Sequence, residues 1–182
     1  MISEEEISFY RSILDELHVV FDVGCRDDNV FDELRPGIEV HLFDPVQRDG
    51  LIKKIAGKPN VHFNNIGLGN VKVTTTFHPA YGSTLLRDDE PKCTDHTEIT
   101  INIDTVKNYC REKNISHIDL LKIDTEGYDF NVIKGCGDMI KNIRYIQFED
   151  WTDELTKEII EYLPKHKLID LGSKPKNFVA VL

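Results

Sequence analysis

The chain has 182 residues, with 32 acidic side chains against 22 basic ones and a formal net charge of −10 at pH 7. At about 150 residues per domain this predicts a single domain over 1–182, large enough to bury roughly 70% of its unfolded surface without disulfides or metals. The acidic balance argues against a general nucleic-acid or anionic-membrane binder, which needs clustered Lys and Arg, and the ordinary composition excludes collagen, coiled coil and wholesale disorder. The four cysteines, Cys25, Cys93, Cys110 and Cys136, form no CxxC pair. The N-terminus is acidic where a targeting peptide is basic, and no run nears the roughly 18 apolar residues of a membrane span. A soluble cytoplasmic protein with reduced thiols is expected.

Ser3 and Glu6 have capping-box spacing, and Ile7, Tyr10, Ile13, Leu14 and Leu17 recur at helical period, predicting an amphipathic helix over 4–17 within an N-terminal segment 1–18. His18 to Val23 is a short β-branched run closed by Gly24, the mark of a buried strand. A short helix over 29–35, with Asn29 as cap, ends at Pro36-Gly37. A strand over Val40–Asp44 follows, then a weak helix over 47–57, a strand over Val61–Asn65 and a turn over Gly67–Asn70. From Val71 to Asp104 the period changes to 2, which predicts antiparallel strands around a polar loop at 82–97. A helix over 105–113 leads to the most apolar strand, Ile118–Asp124. Then come a broken helix over 130–140, a strand over Tyr145–Glu149 and a helix over 153–163. Leu168–Leu171 and Phe178–Leu182 form a terminal hairpin. Strands alternating with helices predict an α/β fold with a mostly parallel sheet, helices on both faces and an antiparallel edge.

Three of these strands end in an acid: Asp22, Asp44 and Asp124. Ligands of open α/β sheets bind beyond the carboxyl ends of the strands, so acids there line a crevice, although each also suits a helix cap or turn. The first strand–helix turn, Asp22-Val-Gly-Cys-Arg-Asp-Asp28, has one glycine and two further acids, which makes a poor phosphate cradle. A cofactor with a cationic end and a free ribose diol suits it better, and S-adenosylmethionine is such a molecule. Asp44, twenty residues beyond Gly24, is placed to accept from both ribose hydroxyls.

Asp22-Val-Gly24, Leu42-Phe-Asp-Pro45, Leu120-Leu-Lys-Ile-Asp-Thr-Glu-Gly127, Val132-Ile-Lys-Gly135 and Ile146-Gln-Phe-Glu149 together resemble the successive motifs of FkbM-type methyltransferases, and Ile99–Asp104 matches the segment leading into Leu120. The resemblance spans residues 19–150 and is most specific from Leu121 to Gly127. It implies a Rossmann-like class I methyltransferase fold with seven strands, S-adenosyl-L-methionine as cofactor, and O-methylation of a sugar, glycan or other hydroxyl-bearing metabolite. It further implies that Asp22 and Gly24, with Cys25 and Arg26, shape the turn beneath the methionine part. Asp44 would hold the ribose, and Asn65, Ile66 and Gly67 would flank adenine. Asp124 and Glu126 would face the meeting point of cofactor and acceptor, one of them as base. Where relatives carry Asn and a second Gly, this chain has Arg26 and Asp28. That departure leaves room for a non-catalytic domain with impaired cofactor binding; the poor glycine loop disfavours a nicotinamide-dependent oxidoreductase.

The seven histidines show no HxxxH or HExxH spacing, so no metal ligands are assigned; His78, His96 and His117 are those that could converge. His78 and His96 are also weak candidate bases, Trp151 is a candidate stacking residue, and Ser83–Leu86 lies in a loop that could close over an acceptor. The acceptor side is expected either from the 71–104 β insertion or from a second subunit of a homo-oligomer.

Overall fold

A computed structural model describes residues 2–28, 30–77, 98–150, 153–163, 165–172 and 176–182. The expectations for Asn29, His78, Ser83–Leu86, the loop at 82–97, Cys93, His96 and Trp151 lie outside the described residues.

Helix α1 (Glu4–Ile13) starts on the expected box: the Ser3 hydroxyl accepts from Glu6 N at 3.2 Å, and the Glu6 carboxylate accepts from Ser3 N at 2.8 Å. It is shorter than its apolar period suggests, because Leu14–Glu16 tightens into a 3₁₀ turn before β1 (Val19–Val23). Next come α2 (Val30–Leu34), β2 (Glu39–Phe43), α3 (Asp49–Ile55) and β3 (Val61–Asn64). The segment expected as a turn at Gly67–Asn70 instead contains a short strand, β4 (Gly67–Leu68), paired parallel with β6 (Ile99–Asp104). Two glycines masked it, since neither carries a side chain to reveal a period. Strand β5 (Val73–Phe77) pairs antiparallel with β6, as the period-2 pattern requires.

Helix α4 (Val106–Lys113) is capped by Thr105 and leads to β7 (Ile118–Ile123), all six of whose residues are buried. A parallel strand covered on both faces must read as continuous apolar sequence, and this one does, apart from Asp119 and Lys122. The broken helix resolves into α5 (Asp129–Gly135) and a 3₁₀ segment, Gly137–Asn142. Strand β8 (Ile143–Asp150), α6 (Asp153–Tyr162), β9 (Lys167–Asp170) and β10 (Lys176–Val181) complete the chain.

The main sheet has seven strands in the order β3-β2-β1-β7-β8-β10-β9, parallel except for β10, which is antiparallel to both its neighbours. The terminal hairpin thus inserts its second strand beside β8 and leaves β9 at the edge. A smaller sheet, β4-β6-β5, stands apart. Two cores follow from alternation along the strands. One face packs Phe21, Phe43 and Leu121 under α4, α5 and α6, and the other packs Val20, Leu42 and Leu120 under α1, α2 and α3.

Gly135 explains its place in the Val132–Gly135 motif: a Cβ there would lie 2.0 Å from the Gly69 carbonyl oxygen, so only glycine lets the end of α5 touch the end of β4. No helix among the described residues is long and apolar enough to cross a membrane.

Candidate active site

The chain leaves β1 in one direction to β2 and β3, and returns through β7 to build the other half of the sheet. The switch point therefore lies between β1 and β7, at the carboxyl ends where Asp22 and Asp124 sit.

Asp22 does not project into the open. Its side chain is buried, Oδ1 accepts from the Lys122 ammonium at 2.9 Å, and Oδ2 is buried with no hydrogen-bond partner. Lys122, itself buried, also lies 3.7 Å from Asp124 Oδ2. Burial by itself would drive the ammonium to lose its proton, but Asp22 and Asp124 hold it protonated well above the ordinary lysine range. A buried aspartate–lysine pair thus underlies the switch point.

Gly24 lies at the same switch point. Its φ is +83°, and a Cβ would fall 1.9 Å from the Asp124 carbonyl oxygen, so the turn can press against the end of β7 only with hydrogen at this position. Gly24 N and Cys25 N both donate to the Phe43 carbonyl, at 2.9 and 3.3 Å, tying the turn to the end of β2. The Cys25 thiol faces the core, and burial, with Asp22 and Asp44 nearby, pushes it well above the ordinary thiol range. Arg26 adopts φ +51°, the left-handed region in which Asn is the commonest non-glycine residue, which accounts physically for the Asn of the resembled family. Asp27 and Asp28 are exposed beyond it.

Asp44 is buried just past β2. Its Oδ1 accepts from Val46 N at 2.8 Å and Oδ2 from Arg48 Nε at 2.9 Å. Each carboxylate oxygen keeps a second acceptor direction, and the Arg48 side chain that covers Oδ2 is partly exposed. Asn65 is exposed, and its amide donates to the Asp44 and Pro45 carbonyls at 3.2 and 3.0 Å. Ile66 and Gly67 are half-buried alongside. The Asn65 contacts thus bring the residue expected for ribose, just past β2, beside the segment expected for adenine, just past β3.

Across the switch point, the β7–α5 loop carries Asp124 and Glu126, and Asp129 opens α5. Glu126 lies at φ +55°, a left-handed conformation disfavoured for a glutamate and of the kind that clusters at functional loops. Asp129 is buried and accepts from Thr125 N at 3.0 Å, from the Thr125 hydroxyl and from Glu149 N at 2.9 Å, so it clamps this loop to the end of β8. Burial pushes its carboxyl up to about 6. Glu149 is pushed up to about 8, by burial first and then by Asp124, Asp129 and Glu126. Sequence reading noticed Glu149 only as the end of a motif and passed over Lys122 and Asp129. For Lys122 the available signal was a lysine inside an otherwise apolar strand, which is tolerated only when paired.

A family model described as the methyltransferase FkbM domain matches residues 22–169. The 2-O-methyltransferase NoeI of Sinorhizobium fredii (strain NBRC 101917 / NGR234) is 22% identical over 177 residues, which covers 83% of this chain and 73% of that protein. The solved structure of methyltransferase FkbM from Methylobacillus flagellatus KT aligns with a TM-score of 0.61 at 14% identity. That alignment covers 91% of this chain but 44% of the other, so the chain spans less than half the length of that protein. Precorrin-6y C5,15-methyltransferase from Geobacter metallireducens GS-15 aligns with a TM-score of 0.54 at 10% identity over 100% of this chain and 89% of that one. At such identities the structural likenesses establish the fold. The family match runs from Asp22, at the switch point, through both carboxylate loops to the last edge of the sheet, and the chain belongs to the FkbM methyltransferase family.

Proposed function

We propose that this chain is an S-adenosylmethionine-dependent O-methyltransferase acting on a hydroxyl of a sugar, glycan or small metabolite. The observation that carries the reading is the acid loop set against the glycine turn. Gly24 lets the first turn pack against the end of β7 at the switch point, and there Asp124 and Glu126, with the half-buried Glu149 beside them, are set to meet a cation. The donor set fits a sulfonium and an ammonium and not a pyrophosphate. The resemblance of the chain to a 2-O-methyltransferase supports oxygen as the acceptor atom. The free thiols of Cys25, Cys110 and Cys136 suit a cytoplasmic setting.

When bound, the cofactor supplies an electrophilic methyl group on a positively charged sulfur. The chain's own part is to bind, align and deprotonate. Asp44 accepts from the ribose diol, and the Asn65–Gly67 segment flanks adenine. The turn from Asp22 to Arg26 supports the methionine end, and Arg26 pairs with its carboxylate. Asp124 and Glu126 face the acceptor side, and one of them takes the hydroxyl proton. Glu149 joins them as a candidate base, since a carboxyl titrating at about 8 both accepts and releases a proton near neutral pH. The β4–β6–β5 sheet supplies the acceptor side, and the whole of 1–182 works as one methyltransferase domain.

Calorimetric titration with S-adenosylhomocysteine tests this. Saturable binding to one site is expected, with Asp44→Ala abolishing it; no heat up to millimolar ligand would sink the proposal. Incubation with methyl-labelled donor and a panel of glycans and metabolites then identifies the acceptor.

A further inference from the structure

Away from the crevice, β2 and the edge strand β3 bring three potential metal ligands together. His41 and His62 are register partners in the parallel pair, and Glu39 lies two residues before His41 on the same side of β2. One ligand atom from each lies within 4.8 Å of the other two. No spacing rule along the chain reveals this, because the ligands meet through strand register.

The hydrogen bonds behind His41 decide its protonation. The Asn64 amide nitrogen donates to the Leu42 and His62 carbonyls, both at 3.1 Å, which turns Asn64 Oδ1 toward Tyr109. The Tyr109 hydroxyl donates to that oxygen at 2.9 Å. Its own oxygen is therefore left to accept from His41 Nδ1–H, at 2.8 Å. In the neutral ring the lone pair then sits on Nε2, which faces the Glu39 carboxylate at 3.0 Å. In that tautomer two acceptors face each other 3.0 Å apart, a gap that a metal ion can bridge. The His62 imidazole stacks on His41 with its centroid 4.9 Å away and brings a third ligand atom to the same gap. Two ligands bound at about 2.0–2.2 Å on one tetrahedral ion stand about 3.3–3.5 Å apart, close to the spacing already present between His41 and Glu39.

We propose that Glu39, His41 and His62 form a transition-metal site, of the kind that takes Zn²⁺, with Tyr109 and Asn64 as the outer relay that fixes the His41 tautomer. Two imidazoles and one carboxylate suit zinc, with water completing the tetrahedron. The buried His41 supplies a rigid anchor, and the exposed Glu39 and His62 close on it. The ion would pin the sheet edge, and through Tyr109 and Asn64 it would brace the chain immediately before Asn65.

The test uses the tag-free, chelator-treated full chain titrated with Co²⁺ and Zn²⁺. One equivalent of Co²⁺ should give a visible tetrahedral absorption band that Zn²⁺ bleaches. His62→Ala, an exposed position, should weaken Zn²⁺ binding by about tenfold or more, and Tyr109→Phe, which removes the outer-shell acceptor, by about tenfold. His117→Ala should change nothing. Absence of saturable binding below millimolar Zn²⁺ would assign the contact to an imidazolium–Glu39 pair and overturn the proposal. Binding that survives His62→Ala at full strength would overturn it too.

Discussion

Asp22 and Glu149 lie at the same carboxyl-end side of one sheet, yet their charges are managed in opposite ways. Asp22 is sealed in with Lys122, and the pair is part of the architecture. Glu149 stands among Asp124, Glu126 and Asp129, and this crowding, on top of burial, holds its proton to about pH 8. The first arrangement pairs its charges internally, although Asp22 Oδ2 is left without a hydrogen bond. The second holds more negative charge than it can comfortably ionise, which is the condition of a site waiting for a cation. The contrast distinguishes the acid neutralised inside the fold from those proposed to meet the ligand, with Asp124, 3.7 Å from Lys122, between the two.

The sharpest way to break this division is to disturb the buried pair. Lys122→Met leaves Asp22 buried without its counter-ion and is expected to cost about 3–5 kcal/mol in urea denaturation, with Asp22→Asn on the same chain restoring most of it. An unchanged midpoint would mean that the pair is not sealed. Next, Gly24→Ala forces a Cβ toward the Asp124 carbonyl and strains a positive φ. The cost should be about 1–3 kcal/mol, with loss of S-adenosylhomocysteine binding in calorimetry.

On the acid side the sign reverses. Glu149 is ionised above the ordinary carboxylate range in the unfolded chain but stays protonated up to about 8 in the folded one. Its contribution to stability is thus highest at low pH and falls as pH rises from about 4.5 to about 8. Glu149→Gln should flatten that decline in melting temperature across the window. If Glu149 is also the base, the substitution removes a limb of the pH–rate profile near 8; a profile that keeps the limb assigns the base to Asp124 or Glu126. The smallest effect is expected far from both clusters: Ser3→Ala removes half of the capping box of α1 and should cost about 1 kcal/mol by thermal melting.

What could be read from the chain alone follows the range of the forces involved. The apolar run of β7, the capping box at Ser3 and the period-2 strands around β6 are local patterns, and they appear where the sequence places them. Motifs at the strand ends point to the switch point for the same reason. Pairings between distant residues were not legible. Lys122 meets Asp22 across one hundred positions, and His41 meets His62 only once register is known. β4 was hidden by glycines that carry no pattern, and β10's place inside the sheet depends on which neighbour it pairs with.

The proposed function requires that the acid loop above the Asp22–Lys122 pair bind the cationic methyl donor. Equilibrium dialysis with methyl-labelled S-adenosylmethionine measures it directly, comparing the wild-type chain with an Asp124→Asn, Glu126→Gln, Glu149→Gln variant whose folding is checked by melting. Saturable binding to the wild type and at least a tenfold loss in the neutralised variant, about 1.4 kcal/mol, is the predicted result. Equal binding by both chains, or binding by neither, would contradict it.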